Sequence, residues 1–401
     1  MGAYLIGSPA LASSSRTSII VVGAGAFGGW SALQLLRKGA KVTLLDAWGP
    51  GNSRASSGGE TRIIRGTYGT GRIYTQMAAR ALQLWKEFEQ QQQLKLFFPS
   101  GVLWMTGSAD SYESAALPAL RDAGIPFEKL SAAECARRWP QVNFDGISWA
   151  VHEPESGYLA ARRACEAVLN AFVKEGGEYR QAQAVPGSIA SGHMREVRLG
   201  SEEALSSEIC VFACGPWLGK VFSFLQPAIT PTRQEVFFFG TAAGDLRFSD
   251  AQLPVWSDDS QHELEGFPGR HWYYGIPGNQ WRGFKIADDM RGPAIDPTSM
   301  EREISPAGLA AARAYLRIRF PQLADAPLVE SRVCQYENST DQNFILDNHP
   351  DAQNVWIVGG GSGHGFKHGP AFGEMVCNAV LGISPPPAEF RLDRLLKKNS
   401  G

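Results

Sequence analysis

Residues 19–22 form a short, unbroken apolar run rich in β-branched side chains, the pattern of a strand buried on both faces. A glycine-rich turn follows. Helical spacing then runs through Ala32-Leu33-Gln34-Leu35-Leu36, is stopped by Gly39, and gives way to a second apolar strand at residues 42–45. This β-α-β opening predicts a parallel sheet covered by helices. Helical spacing returns over residues 73–93, where the glutamines at 90–93 read as a solvated end, and over residues 159–174. Ser131-Ala132-Ala133-Glu134 has the form of a capping box before Trp139-Pro140, and residues 209–213 repeat the apolar strand pattern. Between residues 230 and 288 the pattern changes to aromatic-rich strands at 236–239, 272–274 and 283–286. A helix over 306–319, a long strand around 333–336, an apolar strand at 355–358 and a helix near 370–381 complete the chain. Apolar α/β segments at both ends and antiparallel-looking strands between them predict one domain interrupted by another.

Composition narrows the classes of function. The 401 residues are 44% hydrophobic and 19% charged, enough for one large or two closely associated domains. Lys plus Arg number 38 against 40 Asp plus Glu, so no basic excess exists to neutralise a phosphate backbone, and nucleic-acid binding is excluded as the main role. No apolar run reaches the roughly 18 residues of a membrane span. Six cysteines at irregular spacings form neither a disulfide scaffold nor paired zinc ligands, so no metal site and a reducing, cytoplasmic compartment are expected. Residues 1–17 read as a tail. Residues 1–12 resemble the end of a truncated export signal, without its charged start or full apolar stretch.

The chemistry concentrates in a few segments. Gly23-Ala24-Gly25-Ala26-Phe27-Gly28 follows a strand and opens a helix, and Asp46 closes the next strand 18 residues beyond Gly28. The glycines permit a tight turn and close approach of a pyrophosphate, the helix start supplies amide donors, and the acid accepts hydrogen bonds from a ribose. That context predicts dinucleotide binding, for FAD and NAD alike. A second loop, Gly359-Gly360-Gly361-Ser362-Gly363-His364-Gly365-Phe366-Lys367, also lies between a strand and a helix. Its backbone amides and the helix dipole suit a ring system that becomes anionic on reduction, which favours a flavin. In Thr61-Arg62-Ile63-Ile64-Arg65 two arginines stand beside apolar bulk, suited either to carboxylate recognition or to a structural ion pair. Cys334 and Tyr336 share one face of a strand by their period-2 spacing.

Together these pieces resemble the monomeric sarcosine oxidase and N-methyltryptophan oxidase family of flavoenzymes, within the D-amino acid oxidase superfamily. The likeness runs from about Ser18 onward and is carried by the first glycine turn through Asp46, Thr61-Arg62-Ile63-Ile64-Arg65, Gly283-Phe284-Lys285, Cys334-Gln335-Tyr336, Phe344-Ile345-Leu346-Asp347-Asn348-His349-Pro350 and the second glycine loop. The resemblance implies FAD attached through a cysteine thioether at Cys334, with Gly23, Gly25, Ala26, Phe27, Gly28, Asp46, Arg62, Gly361, Gly363, His364, Gly365 and Lys367 around the cofactor. It implies that Arg65 and Lys367 hold a substrate carboxylate, that Lys285 promotes reaction with oxygen, that Arg62 lies close to the flavin ring, and that Tyr274 and Tyr336 are active-site tyrosines. Two positions depart from the family pattern. Sarcosine oxidases carry histidine where this chain has Gly58 and again where it has Asp289, and an acid at the latter position is similar to fructosyl amino acid oxidases, where it contacts the sugar. Glycine and aspartate together predict a roomier, more polar pocket.

The implied fold class is α/β plus antiparallel β, a Rossmann-like FAD-binding domain interleaved with a mixed-sheet substrate-binding domain. Residues 18–96, 158–228 and 339–401 would form the first, 97–157 and 229–338 the second. The implied activity is oxidation of an N-substituted amino acid or related amine, with hydride passing to the flavin and then electrons to O2, giving H2O2. A fructosyl amino acid oxidase-like enzyme and a dehydrogenase with another acceptor are the alternatives, and a monomer is expected.

Overall fold

The computed structural model describes residues 16–200, 203–260, 263–279 and 282–396, so the export-signal reading of residues 1–12 falls outside it. The apolar runs at both ends of the chain meet in one six-stranded sheet. Its order is Ile345–His349, Ala352–Gly359, Ile209–Phe212, Ser18–Val22, Lys41–Asp46, Glu178–Gln181. Every neighbouring pair is parallel except the first, which is an antiparallel hairpin. Helices Ala26–Arg37, Arg72–Gln92, Ala161–Lys174 and Gly369–Val380 contribute to a core against one face, around Val21, Trp30, Leu33, Trp85 and Phe372. A second cluster, with Ile20, Leu45, Phe212 and Ile357, covers the other face. Burial on both faces is why these strands are continuous apolar runs rather than alternating ones.

The aromatic strands assemble into an eight-stranded mixed sheet, ordered Leu328–Ser339, Ile229–Phe239, Phe284–Asp288, Tyr273–Ile276, Val255–Asp259, Val102–Thr106, Trp149–Glu153, Glu128–Ser131. Only the pair Val255–Asp259 with Val102–Thr106 is parallel. Phe237 and Phe239 pack into a core with Trp256, Phe284, Tyr315 and Phe320, whereas Val236 and Phe238 turn to the opposite face with Ala287 and Tyr274. Alternate residues of one strand thus serve a core on one side and the neighbourhood of Lys285 on the other.

A small sheet, Thr61–Ile64, Gly157–Ala160 and Phe97–Phe98, stands apart from the two large ones. It corrects one sequence reading: Leu159 and Ala160 belong to a strand, and the helix starts at Ala161. Leu159 pairs with both Arg62 and Phe97, so cross-strand pairing overrides a helical pattern that is otherwise sound. The capping box at Ser131 and Glu134 forms as read, with helix Ala132–Arg138 behind it. All six cysteines are free thiols. No helix among the described residues is long and apolar enough to cross a membrane.

Candidate active site

The first glycine turn is held open by contacts that leave no space for a side chain. Gly23 has φ +107°, and a Cβ there would lie 2.3 Å from the Ala213 carbonyl oxygen. A Cβ on Gly28 would lie 1.8 Å from the Gly23 carbonyl oxygen, so that glycine lets helix Ala26–Arg37 pack on its own turn. The first turn of this helix carries no acidic residue, and its first amide, Ala26 N–H, donates to Ser57 Oγ at 3.1 Å, so an anionic ligand would meet the later amides of the turn. Asp46 accepts hydrogen bonds from the backbone amides of Ala24 at 2.7 Å, Trp48 at 2.9 Å and Gly49 at 2.8 Å. Burial nevertheless raises its pKa, because desolvation outweighs the three amide donors.

A cavity of about 450 Å³ lies between the two glycine loops. Of the residues expected around a cofactor, Gly23, Gly25, Ala26, Phe27, Asp46, Arg62, Gly361, Gly363 and Gly365 line it, together with Tyr336. Its size and its glycine-faced walls fit a dinucleotide. Gly28, Cys334, His364 and Lys367 do not line it: His364 Nδ1 and Lys367 Nζ lie 3.4 Å and 2.8 Å from the Tyr68 hydroxyl. The second loop is followed by a single 3-10 turn, Phe366–His368. Helix Gly369–Val380 starts beyond that turn, with Gly369 packed against Trp30. The loop meets the cavity through Gly361, Gly363, Gly365 and Phe366, while its Ser362 and His364 amides donate to the Glu337 and Gly361 carbonyls.

Strand Thr61–Ile64 delivers two cations to two places. Arg62 donates to the Thr61 carbonyl at 2.8 Å, the Ser56 carbonyl at 2.5 Å and Cys334 Sγ at 3.5 Å. Lys285 Nζ donates to the same Thr61 carbonyl at 3.0 Å and to Thr61 Oγ1 at 3.3 Å. Burial, reinforced by the Arg62 charge, lowers the Lys285 pKa to about 7. Cys334, Arg62, Lys285, Tyr274 and Tyr336 thus form one neighbourhood, and Cys334 and Tyr336 do face the same side.

Arg65 lies just past the end of its strand, and its guanidinium stacks 3.7 Å above the Tyr68 ring and 4.8 Å from that of Trp104. It also donates to the Thr67 carbonyl. Lys367 Nζ donates to the Tyr68 hydroxyl and to the His364 carbonyl, both at 2.8 Å. Among the described residues neither cation has a carboxylate within 4 Å. The nearby acid Glu153 is saturated instead by the Gly66 and Thr67 amides and the Thr67 and Ser156 hydroxyls. Burial, then the Arg65 charge, holds Lys367 well below its ordinary pKa. The half-buried Arg65 and the buried Lys367 thus meet at one tyrosine, with Glu153 and Asp289 acting on Lys367 only from beyond ion-pair distance.

Asp289 accepts from the Tyr336 hydroxyl at 2.9 Å and lies 3.9 Å from Arg291, and burial raises its pKa. Gly58, by contrast, opens no space. A Cβ there would lie 1.8 Å from the Asn52 carbonyl oxygen, so the roomier pocket expected from this glycine is not realised; close packing of the Asn52 turn requires it. Sequence reasoning missed Tyr68, Tyr112 and Glu337. Tyr68 follows Arg65 in an irregular segment where no period points to it, and Tyr112 meets Arg65 from a separate helix.

The match to known proteins agrees with this geometry. Residues 18–379 match the family of FAD dependent oxidoreductases. The chain belongs to that family. This oxidoreductase is 30% identical to monomeric sarcosine oxidase of Bacillus sp. strain B-0618, over 92% of its own length and 93% of the relative's. It is 25% identical to N-methyl-L-tryptophan oxidase of Salmonella heidelberg, over 94% and 99%. Its fold superposes on a modified fructosyl peptide oxidase from Aspergillus nidulans with TM-score 0.80 at 18% identity, covering 97% and 95% of the two chains. The expected fold class, a Rossmann-like FAD-binding domain with a mixed-sheet substrate domain, is the one found.

Proposed function

We propose that this oxidoreductase oxidises a secondary amino acid at the C–N bond of an N-substituent, with O2 as the final acceptor and H2O2 as product. The observation that carries the reading is the pair Arg65 and Lys367 around Tyr68, with no carboxylate within 4 Å of either among the described residues. Bound FAD supplies a two-electron acceptor for the hydrogen on the carbon next to nitrogen, and water hydrolyses the imine that results. Arg65 and Lys367 fix the carboxylate end of the substrate, so that orientation is settled before reaction. Arg62 and Lys285 place positive charge where the reduced ring becomes anionic. In this reading residues 18–96, 158–228 and 339–401 hold the cofactor, while 97–157 and 229–338 shape the substrate side of a monomer.

Anaerobic flavin reduction by an N-methyl amino acid and by its amide tests the anchor. The acid is expected to reduce the flavin efficiently and the amide poorly, and equal rates would sink the reading. Asp289 supports a second one: a half-exposed acid bonded to Tyr336 suits a hydroxyl-bearing N-substituent, as in fructosyl amino acids, which belong in the same panel.

Cys334 is expected to carry the FAD covalently, because its sulfur lies beside Arg62 and next to the cavity residue Ser56. Acid precipitation of the yellow protein should leave the colour in the pellet, and Cys334→Ala should release it to the supernatant. Free flavin in the wild-type supernatant would rule out the linkage.

A further inference from the structure

One wall of the cofactor cavity carries a carboxyl that none of the expected roles uses. Glu337 is 5% exposed, lies next to Tyr336, and lines the same cavity as Gly361 and Arg62. The Gly360 and Gly361 amides both face the carboxyl, its Oε2 accepting a long 3.4 Å bond from Gly361 and its Oε1 lacking a partner of hydrogen-bond geometry. The seat is shaped for it: a Cβ on Gly359 would lie 2.4 Å from Oε1, so glycine at that position leaves room for the acid. Pro231 stands opposite it in the sheet, and Leu218 packs beside it. The titratable group that faces it from the neighbouring strand end is the Cys214 thiol; Arg62, Lys220 and Asp46 line the cavity without forming an ion pair with it. A buried carboxylate with neither a cation nor a full set of donors is costly, and a proton relieves the cost.

We propose that Glu337 is a redox-linked proton acceptor of the flavin site, ionised beside the oxidised cofactor above neutral pH and protonated when the cofactor is reduced. Two electrons and one proton leave the reduced ring with one negative charge, which Arg62 and Lys285 favour. Glu337–COO⁻ then takes a second proton from water and becomes Glu337–COOH, so that two negative charges do not share the cavity. A unit charge arriving within about 10 Å in a protein interior raises a carboxylate's proton affinity roughly tenfold. Burial alone already lifts this carboxyl to about 7, so uptake falls in a window that begins near neutrality. The inference rests on FAD binding and not on the identity of the amine.

The test is potentiometric and uses the holoprotein, with dithionite supplying the electrons. Between pH 5.5 and 9 the flavin potential of the wild type is expected to contain a window in which it falls more steeply with pH than above it, Glu337 adding up to about half a proton per two electrons, the most that a tenfold change in affinity allows. In Glu337→Gln, which keeps the shape and cannot titrate, that extra steepness should shrink to the part that Lys285 contributes, while flavin remains bound. A single slope throughout in the wild type overturns the proposal, and so does an unchanged window in the variant. Reduced-minus-oxidised infrared spectra of wild-type protein with 13C-labelled glutamate give a readout that needs no variant. A label-sensitive protonated-carboxyl band should be gained on reduction inside the window, and its absence also overturns the proposal. Loss of flavin binding altogether would instead count against the FAD assignment.

Discussion

Arg65→Met is expected to lower kcat/KM for a carboxylate-bearing secondary amine by roughly 30-fold to several thousand-fold, the about 2–5 kcal/mol that follows loss of one partner from a buried charged contact. Among the described residues the guanidinium has no carboxylate within 4 Å: it meets the Tyr68 and Trp104 rings, the Tyr112 hydroxyl and the Thr67 carbonyl, with Glu153 farther off. The loss should therefore be in substrate binding and orientation, with little change in thermal stability. Arg65→Lys should recover only a small part, because an ammonium cannot reproduce the bidentate fork. Lys367→Met should act in the same direction, and the double variant should lose less than the two single losses combined, since both cations meet at Tyr68. The pH dependence has a definite sign. Burial and Arg65 hold Lys367 well below its ordinary pKa, so in the free protein it loses its proton more readily than a surface lysine. A bound carboxylate favours the ammonium, so binding takes up a proton and affinity falls as pH rises. Stopped-flow reduction kinetics across pH for wild type and Arg65→Met read both effects. A variant with unchanged kcat/KM but a lowered Tm would make Arg65 a structural residue.

The cofactor half of the molecule was legible in the sequence because backbone constraints write themselves into residue type. Gly23 and Gly28 are glycines since a Cβ would strike a carbonyl oxygen, and Asp46 is fixed by the strand that ends in it. The substrate half was only partly legible. Arg65 and Lys367 came from resemblance, and nothing in their spacing, 302 positions apart, says that Tyr68 joins them. Glu153 spends its carboxylate on two amides and two hydroxyls, a role that only the folded chain reveals. Gly58 shows the opposite failure. A missing side chain suggested space, yet the Asn52 carbonyl already occupies it. Glycine content reports backbone proximity as often as an open pocket, and the sequence does not separate the two.

Lys285→Met is expected to slow reoxidation of the reduced flavin by O2 far more than it slows reduction by substrate. Oxygen gains negative charge with its first electron, and a compact ammonium in a desolvated site stabilises that charge by several kcal/mol, on the order of a hundredfold or more in rate. Among the described residues Lys285 Nζ bonds the Thr61 carbonyl and hydroxyl and has no carboxylate within 4 Å, Glu60 acting from farther off, and Arg62 shares the same carbonyl. Burial and Arg62 depress its pKa to about 7, so the ammonium is abundant below that pH and scarce above it. Negative charge on the reduced ring pulls the value back up. Reoxidation should therefore weaken as pH rises, with the fall at or above pH 7, and Lys285→Met should be slow and flat over the same range. Mixing photoreduced protein with aerated buffer measures this without any amine present. Equal slowing of both half-reactions would make Lys285 a general scaffold for the ring. A wild type that reoxidises sluggishly in air would place it in a dehydrogenase, with Lys285 retained only to balance the anionic flavin.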